Sequence, residues 1–522
     1  MTNLEQTVDM RLRLPGRWRG FGFVGPAAMV SVGYMDPGNW ATDLEGGARF
    51  GYQLLWVLVA SNLIAMVLQS LAARLGIVGR VDLAQACRAH YARPVALALW
   101  LLCEVAIIAC DLAELLGSAI ALNLLFGIPL AWGALITGFD VMLILVLQHY
   151  GIRKLEALVA VLVLTIGVCM AFEVLLARPV WADVAGGLVP RLDAASLFVA
   201  IGILGATVMP HNLYLHSSLV QTRRIDNSDR ARREAIRFNF LDTALALNVA
   251  LCINAAILIL SASTFFSRGI EVTELRQAHE LLSPLLGTTL ASTAFAIALL
   301  AAGQSSTITG TLAGQGVMEG FVRLRISPLK RRLLTRALAI VPAVAVLFQA
   351  GDSGVLQLLV FSQVVLSLQL PFAIVPLIRF TSAPRIMGAF VSPAWLRRMA
   401  WGAALLIIGL NAWLVMQALA PAEAGVGRIA IGLTAVLCAA LLGWTAFAPL
   451  RFTPTGECAP ARDAEDNAPL DSRQSSACSR SFGEAPAAGV AAARGQLSFV
   501  ANQDAPKQRS DERVPQPFPA AR

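Results

Sequence analysis

Charge is scarce in this sequence: Asp, Glu, Lys and Arg together make up 14% of its 522 residues, against about 25% in soluble domains. Histidine and tyrosine are rare as well, five of each. No nucleophile-base pair, cofactor-binding glycine loop or soluble catalytic stretch is present, which argues against an enzyme and leaves no cofactor to expect. The eight cysteines lack the spacing of a zinc site or redox pair. Cys87, Cys103, Cys110, Cys169, Cys252 and Cys438 fall in or near apolar runs and Cys458 and Cys478 near the C-terminus, so all read as small free residues.

What is abundant is apolar surface, with 57% hydrophobic residues and a mean hydropathy of +0.66. Crossing about 30 Å of hydrocarbon as a helix takes roughly 20 apolar residues, and about twelve such segments recur between residues 20 and 449. They are 21–40, 53–73, 95–117, 129–149, 155–177, 195–220, 239–262, 286–316, 334–350, 354–378, 400–419 and 427–449. An all-α polytopic membrane protein follows. Arg11, Arg13, Arg17 and Arg19 precede the first segment, but no small-residue cleavage pattern follows it, so it reads as a retained helix rather than a signal peptide. Residues 1–20 form an N-terminal segment, 21–449 the membrane domain. From 450 to 522 the chain is rich in Ala, Pro, Ser, Arg and Asp without an apolar stripe, as a disordered tail would be.

The net charge of +8 does not point to nucleic acid, because the basic residues gather in alternate loops. Arg80, Arg88 and Arg93 follow span two, and Arg153 and Lys154 follow span four. Arg223, Arg224, Arg230, Arg232, Arg233 and Arg237 follow span six, with further clusters at 323–332 and 379–398. Basic loops are retained on the cytoplasmic side. Both termini are therefore expected in the cytoplasm, with the chain in the cell inner membrane and the lipid bilayer as its solvent. The sequence sets no oligomeric state.

Two spans carry a helix breaker at their centre. Span one contains Gly33-Tyr34-Met35-Asp36-Pro37-Gly38-Asn39, and span six contains Gly205-Ala206-Thr207-Val208-Met209-Pro210-His211-Asn212. Proline removes a backbone donor and clashes with the preceding turn, and glycine lets the chain unwind. Freed backbone groups are tolerated at membrane depth only where they are buried in protein or line a cavity. The two breaks lie an odd number of spans apart, so they enter the membrane in opposite directions. That is the mark of an inverted repeat, 21–177 against 195–378, with a binding site between the discontinuous helices.

Asp36 is an intramembrane carboxylate and needs a cation. Asn39 offers an amide oxygen, and the break frees the carbonyl of Gly33 or Tyr34. Hard oxygens alone suit Na⁺, Mg²⁺, Ca²⁺ or Mn²⁺. Met209 and the carbonyl of Ala206 lie at the opposed break, and a thioether favours divalent transition metals over alkaline earths.

These residues resemble the Nramp family of divalent metal transporters, and within it the bacterial proton-coupled manganese transporters. The resemblance rests on Met35-Asp36-Pro37-Gly38-Asn39 and Met209-Pro210-His211-Asn212. Cys110-Asp111-Leu112-Ala113-Glu114, the polar run Gly303 to Gln315 and the stretch Ser362 to Phe372 support it. It implies a leucine-transporter-type 5+5 inverted repeat plus two additional helices. It also implies a metal held by Asp36, Asn39 and Met209 with carbonyls of Ala206 and Gly33, joined by Gln363 in an occluded state. Arg336 resembles a family arginine that partners acids of span three.

Asp111 and Glu114, three residues apart, share one helical face, and His211 and His216 follow the span-six break. Histidine changes charge near neutral pH, so with Asp36 these groups outline a proton pathway. The expected function is proton-coupled uptake of Mn²⁺ or Fe²⁺ by alternating access, with the ions as cargo. The alternative on the same architecture is a Na⁺-coupled organic solute symporter.

Overall fold

A computed structural model describes residues 8–9, 25–130, 132–137, 152–270, 272, 274–323, 330–331, 334–335, 337–341, 353–419 and 426–452. Most of the expected N-terminal segment, most of span four, much of span nine with Arg336, and the tail beyond 452 lie outside the described residues.

The described residues are helical almost throughout. The first span is not one rod: helix α1 (Pro26–Ser31) passes through a 3₁₀ turn (Val32–Met35) to Asp36, and α2 (Pro37–Phe50) restarts beyond it. Helix α3 (Leu55–Arg74) forms span two, the short α4 (Leu83–His90) a loop helix, and α5 (Arg93–Phe126) span three. Span five is α6 (Ile152–Ala177), followed by the short α7 (Trp181–Gly186). Span six is split into α8 (Ala194–Thr207) and α9 (Pro210–Leu219). Then come α10 (Asp229–Thr264), the loop helix α11 (Leu275–Leu286), α12 (Thr289–Val322) and α13 (Ser353–Thr381). The four-residue α14 (Pro384–Met387) precedes α15 (Ala394–Leu419) and α16 (Val426–Phe447). Among the described residues, nine helical stretches are long and apolar enough to cross a membrane.

The boundaries follow local chemistry. Pro37 and Pro210 each occupy the first turn of the helix they open, where no backbone donor is needed. Asp82 and Asp193 close reciprocal capping boxes with Gln85 and Ser196. The hydrogen bonds from Ser196 hold the Asp193 carboxyl below the usual carboxylate range.

The inverted repeat sets the packing. Its third members, α5 and α12, form the most extensive helix pair, and α10 lies along α2 while α8 lies along α13. Asn254 Nδ2 donates to the Tyr34 carbonyl at 2.7 Å and Ser261 Oγ to the Leu44 carbonyl at 2.6 Å, tying α10 to span one on both sides of its break. At the start of span one, the amides of Gly25 and Ala27 donate to Asp242 Oδ2 at 3.3 and 3.0 Å. Arg223, just past span six, is buried and paired with Glu156 at 2.7 Å, and burial pulls its guanidinium down while that carboxylate opposes the shift. A two-residue parallel pairing of β1 (Val8–Asp9) with β2 (Arg223–Arg224) lies beside it.

Close approach makes several glycines obligatory. A methyl on Gly205 would collide with the Gln363 carbonyl and come within 2.9 Å of Ser367 Cβ. Gly205→Ala is therefore expected to cost about 1–3 kcal/mol as an overpacked contact. Thermal unfolding in detergent checks it, and an unchanged midpoint would contradict the α8–α13 contact.

Candidate metal site

Proline at position i deprives the carbonyl at i−4 of its helical partner. Pro37 thus releases Gly33, and Pro210 releases Ala206. Near Asp36 the Tyr34 carbonyl accepts from Asn254, while the Gly33 carbonyl is the one that Pro37 leaves without a helical donor. Asp36 itself takes an extended backbone conformation as the N-cap of α2, and its Oδ1 accepts from the Asn39 amide at 2.8 Å. That bond fixes the carboxylate at the break, with Oδ2 on the side of α5. At the opposed break Val208 and Met209 leave helical geometry, and Met209 precedes α9 as its N-cap.

Cys110 of α5 joins the two breaks. Its Sγ lies 4.0 Å from Asp36 Oδ2 and 3.7 Å from Glu114 Oε1, and it shares one buried cluster with Met209, Ala106, Ala109 and Leu366. Cys110 thus links the carboxylate of the first break to the buried cluster that holds the thioether of the second. Gln363 of α13 adjoins the first break: its amide lies against Gly38, where a methyl would collide with it. Asp36, Asn39, Met209 and Gln363 are all completely buried, so the arrangement is closed to solvent on both sides.

The polar bookkeeping in this spot is incomplete. Both side-chain atoms of Asn39 and the Gln363 Oε1 are buried without a hydrogen-bond partner, although Gln363 Nε2 donates to Ser362 Oγ at 2.9 Å. Such groups cost about 1–3 kcal/mol each when left unsatisfied, and a cation coordinated by their oxygens repays that cost. Among the described residues no group of three or more His, Cys, Asp or Glu could hold a metal. One carboxylate with amides, carbonyls and a thioether is thus the set on offer.

The acids of span three extend from this spot. Glu114 Oε2 accepts from Thr307 Oγ1 at 3.3 Å, and Asp111 lies within electrostatic reach of His211. His216 stands apart in a hydrogen-bonded chain: Gln69 Nε2 donates to the Tyr34 hydroxyl at 2.8 Å, His216 Nδ1 meets Gln69 Oε1 at 2.9 Å, and Asn239 Nδ2 approaches His216 Nε2 at 3.4 Å. Both ring nitrogens of His216 are thus engaged by carboxamides of neighbouring helices. Arg336 lies outside the described residues. The arginine seen against span three is Arg331, buried and paired with Glu104 at 2.9 Å, with Trp100 Nε1 donating to the same carboxylate at 3.0 Å. Sequence reasoning missed this pair and the link through Cys110. The signal was available for Glu104, which lies seven residues, two helical turns, before Asp111.

Known proteins identify the family of the chain. Residues 27–417 match the family model described as natural resistance-associated macrophage protein-like, Nramp. The chain is similar to the divalent metal cation transporter MntH of Xanthomonas campestris pv. campestris, with 59% identity over 409 residues, 77% of this chain and 92% of the relative. It is 55% identical to MntH of Nostoc sp. over 421 residues, 79% of this chain and 95% of the relative. A crystal structure of the Eremococcus coleocola manganese transporter superposes with a TM-score of 0.78 at 37% identity, covering 85% of this chain and 98% of that one. Mhp1, a nucleobase-cation-symport-1 family transporter, shares the fold alone, with a TM-score of 0.52 at 16% identity over 79% of this chain and 94% of that one. With its leucine-transporter-type architecture and a family match spanning most of its length, the chain belongs to the Nramp family, a family of metal-ion transporters rather than enzymes.

Proposed function

We propose that the protein takes up divalent transition metal ions, Mn²⁺ and Fe²⁺, across the cell inner membrane by alternating access, driven by protons moving the same way. The observation that carries this reading is that Cys110 lies against the Asp36 carboxylate and shares a buried cluster with Met209, beside the amide oxygens of Asn39 and Gln363, which have no partner of their own. Asp36, Asn39 and Met209 are the ion's side-chain ligands, Gly33 and Ala206 supply carbonyls, and Gln363 joins when the site closes. The relatives' substrates, manganese and divalent cations, agree with a set containing one soft donor.

A metal ligand must be deprotonated to bind, so loading releases the Asp36 proton. Glu114, reached through Cys110, then Asp111 and His211 form the route away from it, and His216 serves as a fixed strut. The basic loops face the cytoplasm, both termini lie there, and residues 1–20 and 450–522 flank the membrane domain as cytoplasmic segments.

Uptake of Mn²⁺ into proteoliposomes under an imposed pH gradient, with Ca²⁺ as competitor, tests the whole reading. Metal flux accelerated by an inward proton gradient is expected, and no flux would defeat it. Glu114→Gln is expected to keep Mn²⁺ affinity within about twofold while losing the acceleration by the gradient, since it removes a proton acceptor rather than a ligand. Gradient-driven uptake at the wild-type rate would remove Glu114 from the route.

A further inference from the structure

The two breaks share the pattern X-Pro-X-Asn, yet only the asparagine of the first has been given a role above. Asn212, its repeat mate, is completely buried, and both its Nδ2 and its Oδ1 lack a hydrogen-bond partner. A buried amide with nothing to bond is costly, and a carboxamide of the same size could have been replaced by leucine had packing been its task. Its place in the fold is specific. The amide lies against Gly33, where a methyl would collide with Asn212 Nδ2 and sit 3.2 Å from Oδ1. It is therefore next to the residue whose carbonyl Pro37 releases.

The inverted repeat gives that place a direction. Helix α2, which carries Asn39, runs from the break toward Phe50, whereas α9, which carries Asn212, runs from its break toward the basic residues Arg223 and Arg224. Asn39 thus lies on the helix that follows Asp36, and Asn212 against Gly33 in the segment that precedes it. Four residues past Asn212, on the same face of α9, His216 is bonded to Gln69 and Asn239. Beyond it a small cleft, too narrow for more than about one water, is lined by Pro26, Ile77, Val220, Arg223, Ile225 and Asn239. Asn212 lies between Asp36 and this barrier.

We propose that Asn212 is an exit-side ligand for the transported divalent cation. Its amide oxygen and the Gly33 carbonyl receive the ion from Asp36 as it moves toward the basic face, before the His216 chain parts. The proposal rests on the transport reading above and assigns to the second asparagine the task that Asn39 performs on the entry side.

The test compares wild type with Asn212→Ala and Asn212→Asp in two assays: equilibrium Mn²⁺ binding in detergent by titration calorimetry, and the kcat and KM of Mn²⁺ uptake in proteoliposomes. Asn212→Ala is expected to lower kcat about tenfold with the Kd held within about twofold, because the entry-side ligands remain. Asn212→Asp, nearly isosteric, is expected to bind Mn²⁺ about tenfold more tightly and to release it slowly, lowering kcat as well. A purely structural amide would not raise metal affinity when converted to a carboxylate. Wild-type uptake kinetics in Asn212→Ala, or an Asn212→Asp protein that binds Mn²⁺ no more tightly, overturns the proposal while leaving the transport reading standing. Absence of Mn²⁺ flux in wild type overturns both. If the alanine variant does not fold, the aspartate variant decides alone.

Discussion

Replacing Asp36 with asparagine is expected to reduce Mn²⁺ uptake at least about a hundredfold, equivalent to roughly 2.7 kcal/mol of lost stabilisation, and to abolish the pH dependence of Mn²⁺ binding. Asp36 is the carboxylate at the break of span one, held there by the backbone amide of Asn39, and it lies at hydrogen-bond range of Cys110. Asparagine keeps the shape and one oxygen donor but removes the negative charge. The sign of the pH effect follows from competition. A proton and a metal ion cannot occupy the same carboxylate, so wild-type affinity rises with pH until Asp36 is ionised, and falls as acid protonates it. An amide has no such equilibrium, so the variant's weak binding is expected to be flat across the same range. Calorimetric titration with Mn²⁺ at several pH values reads both effects at once. A variant that binds Mn²⁺ like wild type, or keeps the slope with pH, would remove Asp36 from the centre of the site.

Met209→Ala produces a different pattern, a loss of discrimination rather than a loss of function. Removing the thioether leaves only oxygen donors, which suit Ca²⁺ as well as Mn²⁺. Mn²⁺ affinity is expected to fall about tenfold, by 1.4 kcal/mol, while Ca²⁺ becomes an effective competitor. Met209 also packs against Ala106, Ala109, Cys110 and Leu366, so alanine opens a cavity with consequences of its own. Met209→Leu separates the two effects, because it nearly conserves volume without sulfur. Both variants should admit Ca²⁺ in competition uptake assays. If the leucine variant still excludes Ca²⁺, selectivity comes from the shape of the site and not from its sulfur.

The sequence displayed the broken helices and the acids facing them because their signals are local. Pro37 and Pro210 each mark a break within a residue or two of where it occurs, and a carboxylate in an apolar run is conspicuous without any partner being known. Hydropathy was a blunter guide to helix ends. It placed the end of span three at 117, whereas α5 continues to Phe126, and the start of span seven at 239, whereas α10 begins at Asp229. The added turns of α10 carry Arg230, Arg232, Arg233 and Arg237, residues that hydropathy scores as loop although the backbone propagates through them. The loop helices α4 and α11 were invisible for the same reason, being too short and too polar for a span. Pairings between distant segments, Arg331 with Glu104 or Gln69 with His216, leave no trace in a single sequence. Neither does Cys110, which reads as one more small residue until the fold sets it between a carboxylate and a thioether.

The site is walled by bare backbone. Pro37 rests on the Cα of Gly117, Gln363 lies across Gly38, and its own carbonyl faces Gly205, with no room at any of the three glycines for one further carbon. Variation that broadens or shifts the range of ions carried therefore has little access to the dimensions of the chamber. On the proposed ligand assignment, divergence and laboratory selection are expected to act by exchanging one donor atom for another at Asn39, Met209 or Gln363.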